Sequence, residues 1–110
     1  MRTNKQPLDP DILECLRDVI DPEVGLSVVD LGLVYRAVRT PSGLEVALTL
    51  TTRACPLGEM IVADSRELLA HRFQDVPSID VALVWEPMWS PEFITDHGLE
   101  LLGHPPRKAA

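Results

Sequence analysis

Apolar residues recur along this chain with two different spacings, and the changes of spacing divide it into six elements. Ile12, Leu16, Val19 and Ile20 repeat at helical intervals. Asp9 before them is a good N-cap, and Pro10 suits the first helical position. A helix is therefore predicted from Asp9 to Asp21-Pro22, where the residue before proline disfavours helix, and Gly25 supplies a turn. A β region follows from Val28 to Arg39, with a bend or bulge expected at Asp30-Leu31-Gly32. After the turn Thr40-Pro41-Ser42-Gly43, the stretch Leu44–Thr51 alternates cleanly. Val46, Leu48 and Leu50 share one face, and Glu45, Ala47, Thr49 and Thr51 the other. These two strands should form an antiparallel hairpin with a four-residue loop.

Leu57, Met60, Ile61, Leu68 and Leu69 make a broad apolar arc, which predicts a second helix from Pro56 to about Phe73. Ser78–Trp85 alternates again, with Ile79, Val81, Leu83 and Trp85 against Asp80, Ala82 and Val84. Ser90-Pro91 repeats the cap-plus-proline start and opens a short helix to about Leu102, which Gly103 is placed to end. The order is α-β-β-α-β-α, and each helix has one apolar face. The fold class is α+β: a two-layer α/β sandwich with a small mixed three-stranded sheet. The third strand, reached through a helical crossover, should lie parallel to the second if the two are neighbours. One domain over residues 9–103 holds all six elements, with 1–8 and 104–110 as flexible tails.

Composition narrows the function classes. Of the 110 residues, 45% are hydrophobic and 25% charged, which suits one folded domain. The net charge is −7, and no basic stripe with interleaved aromatics is visible. Nucleic acid is disfavoured as a partner, and so is an anionic membrane surface. No apolar run approaches the roughly 20 residues of a spanning helix. The start Met1–Gln6 lacks a signal-peptide core, so the expected location is cytoplasmic. Cys15 and Cys55 do not form a CxxC pair, and a structural disulfide would be unusual in that compartment.

The densest chemistry lies in Thr49-Leu50-Thr51-Thr52-Arg53-Ala54-Cys55-Pro56-Leu57. Here a strand ends in hydroxyl residues and a cysteine stands immediately before a helix. Unpaired N–H groups and the macrodipole at a helix start stabilise a thiolate, so the Cys55 pKa should fall below the ordinary value. Arg53 could add to this, and Thr51 and Thr52 could donate hydrogen bonds to a sulfur or a bound ligand. Thiolate is the form that binds soft metals and attacks electrophiles. Equally, Cys55 could be a buried small hydrophobe. Cys15 falls inside the first helix's apolar stripe and is expected to pack.

Carboxylates form a second constellation. Glu23 lies in the turn after the first helix. Asp30 sits in the apolar run Val28-Val29-Asp30-Leu31-Gly32-Leu33-Val34, where its charge must find partners or solvent. It is either a cap or turn contact, or a metal ligand or base near the thiol. The loop Trp85-Glu86-Pro87-Met88-Trp89-Ser90-Pro91 either covers the core edge or binds a partner. His71, His97 and His104 have no metal-ligand spacing and are expected to be surface or capping residues.

Taken together, Asp21-Pro22-Glu23, Val29-Asp30-Leu31-Gly32-Leu33-Val34, Thr49-Leu50-Thr51-Thr52 with Cys55-Pro56, and Val84-Trp85 with Pro87, Trp89 and Pro91 resemble the SufT/PaaD-type metal–sulfur cluster biosynthetic family. The likeness runs in order from about Asp9 to Gly103. It implies an iron–sulfur cluster assembly-type domain, an accessory factor and not an enzyme, that matures client proteins or delivers clusters to them. The family's cysteine falls on Cys55, its aspartate on Asp30 and its threonines on Thr51 and Thr52. Cys55 is then a transient ligand of iron or of an iron–sulfur cluster, with nothing tightly bound.

Expected partners are the assembly machinery, client apoproteins, a phosphate-loop ATPase and a second copy of the chain. No GxxxxGK[ST] occurs, so nucleotide chemistry would belong to a partner. Arg53-Ala54 replaces the family's Pro-Gly before the Cys-Pro pair, and Glu86-Pro87-Met88 replaces its Asp-Pro-Pro. Phenylacetate-pathway members, whose accessory role is a competing reading, extend into a cysteine-rich segment that this sequence does not show. The same residues are also compatible with a thiol-dependent enzyme, with Cys55 as nucleophile, and with a pure interaction adaptor.

Overall fold

Asp9 starts the first helix as its side chain predicts. In the computed structural model, which describes residues 7–51 and 58–103, its Oδ1 accepts from Asp11 N–H at 2.9 Å and Ile12 N–H at 3.2 Å. The helix α1, Pro10–Leu16, is shorter than the sequence pattern suggests. Val19 and Ile20 leave it because their backbone is claimed from further along the chain. Val28 N–H donates to Val19 O at 2.9 Å, and Asp21 N–H donates to Leu26 O at 2.9 Å. Val19 keeps its place in the core even so, and Val28 is buried with it.

The expected strand from Val28 begins only at Val34. Residues 27–32 fold instead into tight turns, with Leu31 N–H on Ser27 O and Gly32 N–H on Val29 O, each at 3.0 Å. Gly32 closes them at φ +75, in the left-handed region that glycine enters without cost. Its missing side chain is also needed, because a Cβ there would stand 2.2 Å from Phe93 O.

Strand β1, Val34–Thr40, pairs antiparallel with β2, Gly43–Leu48. The register shifts between Val34 and Arg36, so the ladder's bulge falls at Tyr35, and Asp30-Leu31-Gly32 carries the bend, within the turns. The connecting loop is the two residues Pro41 and Ser42, because Thr40 and Gly43 already pair. Helix α2, Gly58–Arg72, crosses over to β3, Ile79–Leu83, which lies parallel to β2 as the crossover requires. The strand order is β1-β2-β3.

Helices α1 and α2 cover one sheet face. Ile12, Leu16, Ile61 and Leu69 pack there with Ala37, Leu44, Val46, Leu48 and Val81, all buried. The other face carries Arg36 and Glu45, paired at 2.9 Å, and the exposed Asp80 and Ala82. The helix expected from Ser90 to Leu102 is broken in two. A 3-10 turn spans Pro91–Phe93, and α3 spans Asp96–Leu101. Thr95 interrupts them: its N–H is drawn to Asp30 O at 2.8 Å, and its extended backbone lets the hydroxyl cap α3 at Gly98 N–H, 3.0 Å away.

Candidate metal–sulfur site

Strand β2 carries the chain toward the site. Thr49 N–H donates to Leu33 O at 2.8 Å, and Val84 N–H donates to Leu48 O at 2.8 Å, so three segments converge where the sheet ends. Beyond them is a cavity of about 280 Å³ lined by Thr49, Leu50, Thr51, Trp85, Glu86, Met88 and Trp89. Its floor is two threonines and a leucine, and its far wall is the tryptophan loop. Trp85 and Trp89 are half-buried against the core, whereas Met88 is 81% exposed at the rim.

That wall is fixed from beneath by the 27–33 turn. Trp89 Nε1–H donates to Leu31 O at 2.7 Å. Phe93 packs over Gly32 and meets Tyr35 edge to face, with ring centroids 5.9 Å apart. Asp30 completes the clamp. Its carboxylate, in a residue only 5% exposed, accepts from Arg17 Nη1 at 3.1 Å, Ser27 Oγ at 3.3 Å and Thr95 Oγ1 at 3.0 Å. Burying a carboxylate without such donors would be costly. Its described partners are turn and cap groups.

The residues expected at the site fall in different places. Thr51 lines the cavity, half-buried. Asp30 lies behind it, holding the tryptophan loop through Thr95. Glu23 is on an exposed turn, its N–H donating to Asp21 Oδ1 at 2.8 Å, and it is not among the cavity's lining residues. Cys55 and Thr52, with Arg53, Ala54 and Pro56, lie outside the described residues, and so does the expected lowering of the Cys55 pKa. The flanks of that stretch, Thr51 and Gly58, are described. Thr51 lines the cavity directly, and Gly58 packs so closely that an added Cβ would be 3.0 Å from Leu50 Cδ1 and from Leu83 Cδ1.

Cys15 occupies a different place. It is half-buried between α1 and α2, in a shallow cavity with Glu14, Asp18, Leu68, His71 and Arg72. Burial pushes its thiol pKa up, Arg72 opposes this and Asp18 adds to it. His71 is on this far end of α2, about 20 Å along the helix from Gly58 at 1.5 Å per residue, so it is remote from the cavity. His97 is exposed on α3. Among the described residues no group of three or more His, Cys, Asp or Glu side chains could hold a metal ion. None of the described helices is long and apolar enough to cross a membrane.

Three contributors were not singled out from sequence: Ser27, Arg17 and Thr95, all on Asp30. Ser27 had a local signal, since a serine three residues before an aspartate can cap its N–H, as it does here at 3.0 Å. Arg17 and Thr95 had none, because they meet Asp30 only through the fold.

Fold and site define a class: a small α+β domain that gathers hydroxyls, indoles and the flanks of a cysteine-bearing connection at one end of a three-stranded sheet. A model of the family described as iron-sulfur cluster assembly protein matches residues 9–81. The chain is 34% identical over 100 residues to the Fe-S protein maturation auxiliary factor YitW of Bacillus subtilis, covering 90% of this chain and 97% of that one. It is 35% identical over 86 residues to the Fe-S protein maturation auxiliary factor SufT of Staphylococcus aureus, covering 77% and 97%. The fold matches the crystal structure of a DUF59 domain from Bacillus anthracis with a TM-score of 0.80 at 34% identity, over 84% of this chain and 89% of that one. This chain belongs to the iron–sulfur cluster assembly protein family.

Proposed function

We propose that the protein is a non-enzymatic accessory factor in iron–sulfur cluster assembly or delivery, with Cys55 as its transient ligand for iron or cluster. The observation that carries this reading is that the chain enters the Cys55 connection from Thr51, which lines the cavity, and returns at Gly58, which packs against the lining residue Leu50. Kinship with two maturation auxiliary factors supports the process.

A conventional cluster takes about four cysteine ligands, and this chain has two cysteines, of which Cys15 sits by the far end of α2. The remaining ligands come from a client, a second copy or a small thiol, so binding is shared and short-lived. Thr51 and Thr52 donate hydrogen bonds to bound sulfur, which tunes a cluster's potential. Asp30 acts as a positioning residue that holds the tryptophan wall. The assembly machinery and client apoproteins are the partners, and nucleotide hydrolysis belongs to a separate ATPase.

The test is anaerobic reconstitution with iron and sulfide, followed by absorption spectroscopy. Wild type, alone or with a client apoprotein, should show thiolate-to-iron charge-transfer bands that Cys55→Ser loses. Equal bands in both proteins, or none in wild type under either condition, would remove Cys55 as the ligand.

A further inference from the structure

The two edges of the sheet are treated differently. Along β1 the N-terminal segment covers the outer edge, with Ala37 N–H on Pro7 O at 3.0 Å and Asp9 N–H on Ala37 O at 2.7 Å. Along β3 no described segment pairs with the outer edge. Leu44 N–H bonds Ser78 O and Val84 N–H bonds Leu48 O. The even-numbered residues of this strand thus turn their backbone groups toward β2, and Ile79, Val81 and Leu83 turn theirs outward. Arg66 Nη2 lies over that edge, 3.4 Å from Val81 O.

Beside the edge runs a groove of about 400 Å³ between Glu59, Val62, Ala63 and Arg66 on α2 and Val81 and Leu83 on β3. The four helix residues share one face, with an apolar middle, an acid at one end and a base at the other. Gly58 packs on Leu83. Two residues back along the strand is about 6.6 Å, equal to four or five helix residues. Val81 is therefore level with Val62 and Ala63.

We propose that the outer edge of β3 docks an extended segment of a partner protein as a fourth strand, its alternate side chains read by the α2 groove. A second copy of this chain does not fit. Helix α2 packs on β3, and a paired β3 would bring its own α2 to about 4.8 Å, whereas packed helices need about 8–10 Å. A segment with nothing above it meets no such conflict. Antiparallel pairing is the more stable choice. It sets the segment's N-terminal side at Leu83 and Glu59 and its C-terminal side past Val81 at Arg66. Charge complementarity then specifies a basic residue, an apolar one two positions on, and an acidic one two positions further. Arg66 releases Val81 O to the incoming N–H and pairs with the acid.

The probes are the peptide Ac-Ser-Lys-Thr-Val-Thr-Glu-Ser-amide, the same peptide with Lys and Glu exchanged, and the first with its valine N-methylated. Each is titrated into the ¹⁵N-labelled protein. The first should shift the Ile79, Val81 and Leu83 amides, the exchanged peptide should bind about fivefold more weakly, the scale of two exposed ion pairs, and the N-methylated one should leave these amides still. The double variant Glu59→Lys/Arg66→Glu should invert the order of the first two. Still amides with the first peptide at about 2 mM, well into the range of weak encounters, overturn the proposal, as do shifts indifferent to N-methylation. Concentration-dependent shifts of the same amides without peptide put a second copy on the edge and also overturn it. None of these readouts involves Cys55.

Discussion

Replacing Gly32 by alanine tests how the C-terminal segment is held to the rest of the molecule. Gly32 has φ +75, and an added Cβ would stand 2.2 Å from Phe93 O and 2.5 Å from Phe93 Cβ. The left-handed backbone costs an L-residue about 1–2 kcal/mol, and alanine offsets about 0.4–1 kcal/mol of this by stiffening the unfolded chain. The overlap adds a separate cost. It is with backbone, which cannot rotate aside, and forced repacking of this kind costs about 1–3 kcal/mol. Gly25 separates the two contributions, because its φ is +84 yet nothing lies within 4 Å of an added Cβ. Gly25→Ala should therefore cost about 0.5–1 kcal/mol, and Gly32→Ala about 2–4 kcal/mol. A domain's whole stability is only about 5–15 kcal/mol.

The assay is urea unfolding followed by tryptophan fluorescence. With a slope of about 1–1.5 kcal/mol per molar for a chain of this size, the midpoint should fall by about 0.3–1 M for Gly25→Ala and about 1.3–4 M for Gly32→Ala. Equal midpoints in the two variants would refute the reasoning, since the close approach of Phe93 would then contribute nothing.

Asp30→Ala removes the acceptor for Ser27 and Thr95 as well as Arg17. Arg17 is half exposed, so its share is small, and the expected loss is about 2–3 kcal/mol in the same urea assay, with Trp89 emission shifting red before global unfolding. Asp9→Ala should cost about 1 kcal/mol as a lost N-cap. The Arg39 hydrogen bond, followed by those from Ile12 and Asp11 N–H against an opposing burial effect, holds the Asp9 carboxyl below its ordinary 3.8. The stability it contributes is complete above that value and is lost as pH falls through the lower folded one, so thermal melts of wild type and variant should converge in acid. For Cys15 the sign is opposite: burial first, with Asp18, raises its thiol pKa against Arg72. Its contribution is present at low pH and lost as pH rises through the raised value. In Cys55→Ser, iodoacetamide labelling of Cys15 should have a midpoint above the ordinary thiol value of about 8.5; a midpoint at or below it would contradict the burial.

What the sequence determined by itself was local. The Asp9-Pro10 start of α1 and the alternation of β2 and β3 follow from residues within a few positions of one another, and both appear in the fold. The cysteine connection was legible for the same reason, because Thr51, Thr52, Cys55 and Pro56 are neighbours in the chain. Only the tertiary structure decided where α1 stops, since Val28 takes the Val19 carbonyl. It alone broke the final helix at Thr95 and brought Arg17 and Thr95 to Asp30 from 13 and 65 positions away. Backbone groups bond whatever donor the folded chain brings within about 3 Å. A pattern of side chains along the sequence records the period of an element, but not which distant segment will claim its ends.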